Sequence, residues 1–152
     1  MKIDIRSAKV KEINQLIEFE QGIVAAERPY DSTLKEGEIH YYDLLELIKS
    51  DEAEVMVAVV GEELVGSGYA KILTAKPYQK HTHFAYLGFM YVKPEFRGKG
   101  INQMVLDELM NWAKSKGISE VRLEVYDANL IAKKSYIKAG FTPNLLEMRL
   151  EI

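Results

Sequence analysis

The sequence predicts a mixed α/β domain, an α+β sandwich in which helices cover both faces of a mostly antiparallel central sheet. Three apolar segments follow one another in the middle of the chain, as expected of neighbouring strands. Segments with apolar residues at helical spacing lie before and after them. The length of 152 residues fits one domain, residues 1–152, and no repeat or Pro/Gly/Ser-rich linker divides it.

The first third of the chain predicts one strand and two helices. Charged and apolar residues alternate over 2–6, which is typical of a strand. Apolar residues at helical spacing predict a helix over 8–26, and Pro29 prevents its continuation. After a polar connection, a second helix is expected over 39–50.

The middle of the chain predicts three strands. Residues 55–60 are almost continuously apolar, which is typical of a strand buried on both faces. The turn at 61–63 makes a hairpin with 64–73. A third strand is expected over 84–92, where Lys93-Pro94 stops it.

The last third predicts two helices and two strands. In order these are helix 100–116, strand 121–126, helix 129–139 and strand 145–150. Gly117 and Gly140 are the expected helix ends. The complete predicted order is β-α-α-β-β-β-α-β-α-β.

Composition excludes several classes of protein. The chain has no cysteine, which excludes disulfide scaffolds, cysteine-bound zinc and thiol nucleophiles. Its 20 lysines and arginines against 23 aspartates and glutamates give a net charge of −3, so we expect no nucleic-acid partner. No apolar run approaches the roughly 20 residues of a membrane span, and no signal-peptide pattern opens the sequence. We expect a cytoplasmic protein with no membrane partner.

The sequence Arg97-Gly98-Lys99-Gly100 follows the third middle strand and opens a helix. Free N–H groups at a helix start, glycines that permit close approach and two cationic side chains together predict a pyrophosphate cradle. A Walker loop is excluded because Gly100 stands where it needs Ser or Thr, and Gln103 excludes the dinucleotide fingerprint. Taken alone, the segment is equally compatible with a flexible helix start.

Arg97-x-x-Gly100, after an apolar strand and a Val-x-Pro turn, resembles the acyl-CoA pyrophosphate loop of the GNAT superfamily of N-acetyltransferases. A second segment resembles the asparagine, helix and Gly-Phe close of the same family: Asn129-x-x-Ala132-x-x-x-Tyr136-x-x-x-Gly140-Phe141. The element order and the length match as well, so the resemblance covers nearly the whole chain. Asn102 departs from the family pattern, which has Gly or Ala at that position.

The resemblance implies acetyl-CoA as co-substrate and no metal. It implies that backbone groups of Met90 and Val92 pair with the pantetheine arm and that an N–H near Met90 stabilises the oxyanion. Gly88 suits either a bulge that opens the sheet or close packing against a bulky neighbour. The implied cofactor-binding residues are Met90, Tyr91, Val92, Arg97, Gly98, Lys99, Gly100, Ile101, Asn102, Asn129, Ala132 and Tyr136.

Tyr136 is the candidate catalytic residue, since a phenol can protonate the departing thiolate. The alternative is a tyrosine that merely packs on its helix. Asn129 is expected to bind the pantetheine amides, to cap the last helix, or to do both.

The resemblance implies transfer to a primary amine, by direct attack in a ternary complex, with a small-molecule acceptor favoured. The alternatives are a protein lysine or N-terminal acetyltransferase and a CoA-binding sensor without activity. A homodimer is left open. The predicted acceptor side comprises Glu27, Arg28, Tyr30 and Tyr86. The general base stays open among Glu20, Glu27, Asp31, His81, His83, Glu124 and Tyr86. A metal at His81 and His83 is not favoured, because a third ligand is missing nearby.

Overall fold

The computed structural model describes all residues, 1–152, as five strands and four helices. Short 3₁₀ turns at 10–12, 28–30 and 94–96 connect some of them. In chain order the elements are β1 (Asp4–Ser7), α1 (Ile13–Glu27), α2 (Leu44–Lys49), β2 (Ala53–Val60), β3 (Glu63–Thr74), β4 (His83–Val92), α3 (Ile101–Ser115), β5 (Val121–Leu123) and α4 (Leu130–Lys138).

The five strands form one sheet in the order β1-β2-β3-β4-β5. The first three pairings are antiparallel, and β4 pairs with β5 in parallel. The prediction of a mostly antiparallel sheet is therefore confirmed. The parallel pair is possible because α3 supplies the crossover connection that parallel neighbours require.

Helices cover both faces of the sheet, as predicted. Successive side chains of a strand point to opposite faces, and because those of β2 are buried along most of the strand, both faces must be covered. On one face, α1 and α2 pack Leu16, Phe19 and Leu44 against β2 and β4. On the other face, α3 packs Val105 and Leu109, both 0% exposed, against a second apolar cluster. The two layers fix the sheet from both sides. None of the helices is long and apolar enough to cross a bilayer.

Two predicted boundaries at the start of the chain differ from the structure. The first strand is Asp4–Ser7 rather than 2–6. The first helix begins at Ile13 rather than at residue 8, because the Glu12 carboxylate accepts a hydrogen bond from the Lys9 N–H and closes a 3₁₀ turn there.

The predicted helix over 39–50 forms only from Leu44. Asp43 caps it, accepting a hydrogen bond from the Glu46 N–H at 3.1 Å. The preceding residues are instead held by the buried carboxylate of Glu20, which accepts from the N–H groups of Tyr41 and Tyr42 at 2.8 and 2.9 Å. Backbone donors bound to a side chain are not available for a helix, which explains the late start.

The predicted strand over 145–150 is wrong. No backbone–backbone hydrogen bond forms beyond the Phe141 N–H, because the tail has no strand beside it. The strand predicted over 121–126 is also shorter, and ends at Leu123. The tail is held by Arg149, whose guanidinium forms an ion pair with Asp31 at 3.1 Å.

Candidate active site

The sheet opens between β4 and β5. The two strands pair only from Ala85 with Val121 to Leu87 with Leu123. From Gly88 onward β4 continues without β5, so no strand covers its outer edge. A gap of this kind accepts an extended ligand as an extra strand.

A bulge in β4 lies at the mouth of the gap. The register of β3 against β4 shifts between Ser67 and Tyr69. Phe89 has a φ of 58°, unusual for a residue with a side chain, and its carbonyl accepts a hydrogen bond from the buried Ser67 hydroxyl at 2.9 Å. At Gly88, a Cβ would come within 2.6 Å of the Tyr69 ring. Both expectations for Gly88 are therefore met, because it packs against a bulky neighbour and the bulge starts at the next residue.

The bulge sets which backbone groups face the gap. Lys93 donates its N–H to the Val65 carbonyl at 2.8 Å, so the backbone of Lys93 faces β3. Backbone groups alternate along an antiparallel strand, which turns those of Val92 and Met90 to the opposite edge. The N–H groups of the two residues named from the sequence as partners of the pantetheine arm thus face the gap, while the Val92 carbonyl accepts from Arg97.

The predicted cradle is an exposed loop ahead of α3. Gly98 and Gly100 have φ values of 77° and 79°, and a Cβ on either would meet nothing within 4 Å. Their conformation favours glycine, and the space in front of them is open. Arg97 donates its Nε–H to the Val92 carbonyl at 3.0 Å, closing the turn, while Lys99 is exposed.

The first two residues of α3, Ile101 and Asn102, differ in burial. Ile101 is 1% exposed and packs beneath the sheet, so only its backbone is available to a ligand. Asn102 is half-buried and lies against the hydroxyl of Tyr136. The departure from the family pattern thus lies beside the candidate catalytic residue.

Tyr136 lies on α4 and packs against the second apolar cluster, on the face of the sheet that α3 covers. Its ring packs edge-on against Phe141 at 5.9 Å between centroids. Burial raises the pKa of its phenol, Asn102 lowers it, and the charge of Glu27 raises it further. The phenol therefore keeps its proton at neutral pH, as a general acid must.

Asn129 caps α4. Its side-chain oxygen accepts a hydrogen bond from the Ala132 N–H at 3.2 Å. The capping role expected from the sequence is confirmed, and the side-chain amide group stays available as a donor.

Five tyrosines gather on the sheet face that α1 and α2 cover, beside the gap; we call them the tyrosine cluster. They are Tyr41, Tyr42, Tyr69, Tyr86 and Tyr126. Burial raises the pKa of each phenol, that of Tyr69 and that of Tyr126 to about 12. The Lys71 ammonium lies 5.6 Å and 5.7 Å from the ring centroids of Tyr69 and Tyr86, so these rings already contact a cation.

Carboxylates border the tyrosine cluster. Glu124, just after β5, accepts a hydrogen bond from the Tyr86 hydroxyl at 3.1 Å. Asp31 accepts from Thr33, Arg149 and Tyr126, and these bonds hold its pKa far below the usual range, those from Thr33 having the largest effect. Glu27 is half-buried at the end of α1, and burial raises its pKa.

The other residues predicted for the acceptor side are engaged nearby. Arg28 donates to the carbonyls of Lys35 and Gly37, so its guanidinium braces the loop after α1. Tyr30 stacks on Tyr126 with 6.1 Å between centroids.

Two histidines considered from the sequence lie elsewhere. His83 begins β4, and His81 Nδ1 is 3.6 Å from a Glu120 oxygen beside the start of β5. The gap opens beyond the other end of the β4–β5 pairing. No group of three or more metal-binding side chains is present.

Sequence reasoning missed Tyr41, Tyr42, Tyr69, Tyr126 and Arg149. No local pattern signals Arg149, which meets Asp31 across 118 positions. Tyr41 and Tyr42 lie inside the helix predicted over 39–50, and that helical pattern did not signal a tyrosine cluster.

Comparisons with known proteins agree with this architecture. The sequence matches the model of the Acetyltransferase (GNAT) family over residues 18–141. It is 28% identical to spermidine N(1)-acetyltransferase of Thermoplasma acidophilum over 151 residues, covering 93% of this chain and 89% of that one. It is 42% identical over 55 residues to thialysine N-epsilon-acetyltransferase of Bos taurus, a match that covers 36% of this chain and only 32% of that relative's length.

A solved structure shows the same fold. A predicted acetyltransferase from Clostridium acetobutylicum, determined with acetyl-CoA, superposes with a TM-score of 0.77 at 19% identity, covering 99% of this chain and 96% of the other. The family match spans most of the sequence and includes both segments that flank the gap. The chain belongs to the GNAT family of acetyltransferases.

Proposed function

We propose that the protein is an N-acetyltransferase that moves the acetyl group of acetyl-CoA to a primary amine of a small molecule. The observation that carries the proposal is the gap between β4 and β5, together with the glycine loop that opens α3 and Tyr136 beside Asn102 at the start of that helix. Membership of the family supports the reaction class. Because the donor is acetyl-CoA, we place the reaction in the cytoplasm.

Acetyl-CoA is proposed to bind along the open edge of β4. Its pyrophosphate would accept from the N–H groups at residues 98–102, where the positive end of the α3 dipole and Lys99 add favourable charge. The pantetheine would pair with Met90 and Val92, extending the sheet. A backbone N–H near Met90 would then face the thioester carbonyl and stabilise its oxyanion.

Transfer is proposed to occur in a ternary complex without a covalent enzyme intermediate. The amine nitrogen attacks the thioester carbon and forms the C–N bond. The attacking nitrogen loses its excess proton to solvent. The tetrahedral intermediate then collapses, the C–S bond breaks, Tyr136 donates its proton to the departing sulfur, and the phenol regains a proton from solvent. Asn129, Ala132 and Tyr91 are proposed to contact the cofactor arm.

The acceptor is proposed to enter beside the tyrosine cluster, where Glu27 and Glu124 supply negative charge. The named relatives act on spermidine and thialysine, which are small amines, and this favours a small acceptor over a protein one. A protein acetyltransferase and a non-catalytic CoA-binding module are the alternatives.

A screen of acceptors tests the proposed function. With acetyl-CoA as donor, release of the free CoA thiol is followed for spermidine, thialysine, aminoglycosides and lysine-containing peptides. We expect turnover with a small amine well above the rate of acetyl-CoA hydrolysis without acceptor. Turnover confined to peptides would support the protein-modifying alternative. Tight acetyl-CoA binding without transfer to any amine would support the sensor.

We also propose that two copies associate through the tail, residues 145–152. Apolar and charged residues alternate in it, yet Leu145, Met148, Leu150 and Ile152 are each at least 86% exposed. Covering such side chains in both copies would bury on the order of 1,000 Å² or more, the range of a stable interface. The free edge of β5 offers a strand to pair with.

The oligomeric state tests this association. Light scattering coupled to size-exclusion chromatography is expected to give a dimer for the parent protein and a monomer for the double variant Met148→Asp, Leu150→Asp. Both substitutions lie on the exposed tail, so the circular dichroism spectrum should not change. A monomeric parent protein at micromolar concentration would contradict the proposal.

A further inference from the structure

We propose that the buried hydroxyl of Ser67 positions the backbone N–H of Met90, so that this N–H stabilises the oxyanion of the thioester. Ser67 holds the carbonyl end of the peptide group whose other end is that N–H. The inference rests on the proposed acetyl transfer. It makes Ser67 a positioning residue, since it acts through the backbone of β4 and not on the cofactor.

The bulge in β4 places two residues opposite one. Between the paired residues on either side of it, β3 contributes Gly68 alone, whereas β4 contributes Phe89 and Met90. Phe89 has a φ of 58°, in the left-handed region that residues with a side chain rarely adopt. A backbone in such a conformation persists only where its surroundings hold it.

Side chains from two other segments hold both backbone groups of Phe89. Its carbonyl accepts a hydrogen bond from the Ser67 hydroxyl at 2.9 Å. Its N–H contacts the hydroxyl of Tyr42, whose ring packs edge-on against the Phe89 ring with 5.3 Å between centroids. Buried backbone groups that leave the ladder need such partners, so these two hydroxyls stabilise the bulge.

The packing around Ser67 does not by itself call for a hydroxyl. Ser67 is 1% exposed and pairs with Val57 and Tyr91, which lie in or against the apolar cluster under α1 and α2. A hydroxyl in apolar surroundings is costly unless it is hydrogen-bonded, and an alanine would carry no such cost. The bond to the Phe89 carbonyl is therefore what a serine adds at this position.

That bond fixes the direction of the Met90 N–H. The carbonyl of Phe89 and the N–H of Met90 belong to one peptide group, which is planar and trans, so the two point in opposite directions. The carbonyl points to Ser67 on β3, and the N–H therefore points away from β3, towards the outer edge of β4. No strand covers that edge from Gly88 onward, so the N–H faces the gap.

The same bond makes the N–H a stronger donor. A hydrogen bond accepted by a peptide carbonyl polarises the peptide and strengthens donation by its N–H. Donors already aimed at a developing oxyanion stabilise it most, because nothing has to reorganise during the reaction. Gly68 limits movement further, since a Cβ there would lie 2.6 Å from the Met90 sulfur, so β3 lies close against the Met90 side chain.

The kinetic test uses Ser67→Ala, with spermidine and thialysine as acceptors. The Met90 N–H remains in this variant, but its peptide is free to turn. We expect kcat to fall about 10- to 100-fold, less than the roughly 10²–10³-fold cost of losing an oxyanion donor altogether. The Kd of CoA should change little, because CoA has no thioester carbonyl and the glycine loop is unaltered. A side chain that only supports the fold would not produce this split.

Three further variants separate the hydroxyl from the volume it fills. Ser67→Thr keeps a hydroxyl and should recover most of the lost rate. Ser67→Cys keeps a side chain of similar size but has only a weak donor, so its kcat should stay close to that of Ser67→Ala. This comparison decides the question even if the larger threonine prevents folding. Ser115→Ala removes a serine hydroxyl that donates to the Trp112 carbonyl at 2.6 Å at the far end of α3, and should leave kcat unchanged.

An NMR titration tests the direction of the N–H without turnover. The Met90 amide proton of the parent protein should shift further with saturating acetyl-CoA than with saturating CoA, since only the thioester offers it a carbonyl. In Ser67→Ala the difference between the two ligands should shrink, whereas in Ser115→Ala it should equal that of the parent. Circular dichroism verifies that each variant is folded at the temperature of the measurement.

The outcomes separate this inference from the proposed function. A parent enzyme that transfers acetyl groups, with a folded Ser67→Ala that keeps its kcat, would overturn the role of Ser67 alone. So would a Ser67→Cys variant as active as the parent, or a Met90 amide that responds equally to acetyl-CoA and CoA. A parent protein that binds acetyl-CoA but acetylates no amine would overturn the proposed function, while the titration would still decide where the Met90 N–H points.

Discussion

Gly100→Asp is expected to abolish measurable binding of acetyl-CoA while the protein stays folded. Gly100 precedes α3 with a φ of 79°, and a Cβ there would meet nothing within 4 Å, so the new side chain fits but projects into the space proposed for the pyrophosphate. Its carboxylate would bring negative charge to the positive end of the helix dipole and repel the pyrophosphate. The backbone strain costs only about 1 kcal/mol.

Gly117 provides the matched control for this substitution. It follows the other end of α3 with a φ of 76°, and a Cβ there also meets nothing within 4 Å. Gly117→Asp therefore introduces the same strain and charge away from the loop, and should bind acetyl-CoA like the parent protein. Isothermal titration calorimetry compares the two variants. Retained affinity in a folded Gly100→Asp would remove the basis for the cradle.

The sheet and its helices were predictable because their signals are local. A continuous apolar run such as 55–60 is typical of a buried strand. In the structure it lies in β2, which is buried along most of its length. The helix stop at Gly140 is likewise a property of one residue, with a φ of 107°. Where one short segment determines its own secondary structure, the sequence pattern and the structure agree.

The predicted secondary structure was wrong where residues distant in the sequence determine the local conformation. The segment over 39–43 carries a helical pattern, yet Glu20, some twenty positions earlier, binds its N–H groups and prevents the helix. The tail over 145–150 carries a strand pattern, yet no strand within the chain pairs with it. A single sequence does not reveal which distant side chain competes for a donor, nor whether a neighbouring strand exists.

The same distinction holds in the candidate site. The glycine loop and the Asn129–Tyr136 segment are continuous motifs, and both were located from the sequence. The tyrosine cluster draws on four separate segments of the chain, and its members are joined by packing and hydrogen bonds such as that between Tyr126 and Asp31 across 95 positions. The glycine conformations of the loop and the Asn129 cap were therefore predictable from the sequence, whereas of the residues around the tyrosine cluster only the Glu27–Tyr30 segment and Tyr86 were named in advance.

Tyr136→Phe is expected to lower kcat about 10²–10⁴-fold and to leave the KM for acetyl-CoA nearly unchanged. Phenylalanine keeps the edge-on contact with Phe141 and removes only the hydroxyl that lies against Asn102. The proton donor to the departing thiolate is lost in the transition state alone, so kcat and kcat/KM should fall together. Steady-state kinetics at saturating acceptor measures the effect. Tyr78→Phe, at a loop residue that is 79% exposed, is the control.

The pH profile adds a second test of the same hydroxyl. Because burial raises the pKa of Tyr136, the phenol of the parent enzyme stays protonated above its ordinary value of about 10, and kcat should show no decline below that pH. In Tyr136→Phe the thiolate must leave unprotonated or take a proton from water, so the lost rate should not return at any pH at which the protein is folded. A kcat unchanged by Tyr136→Phe, measured where chemistry limits turnover, would show that Tyr136 packs or binds and that the thiolate leaves without its proton.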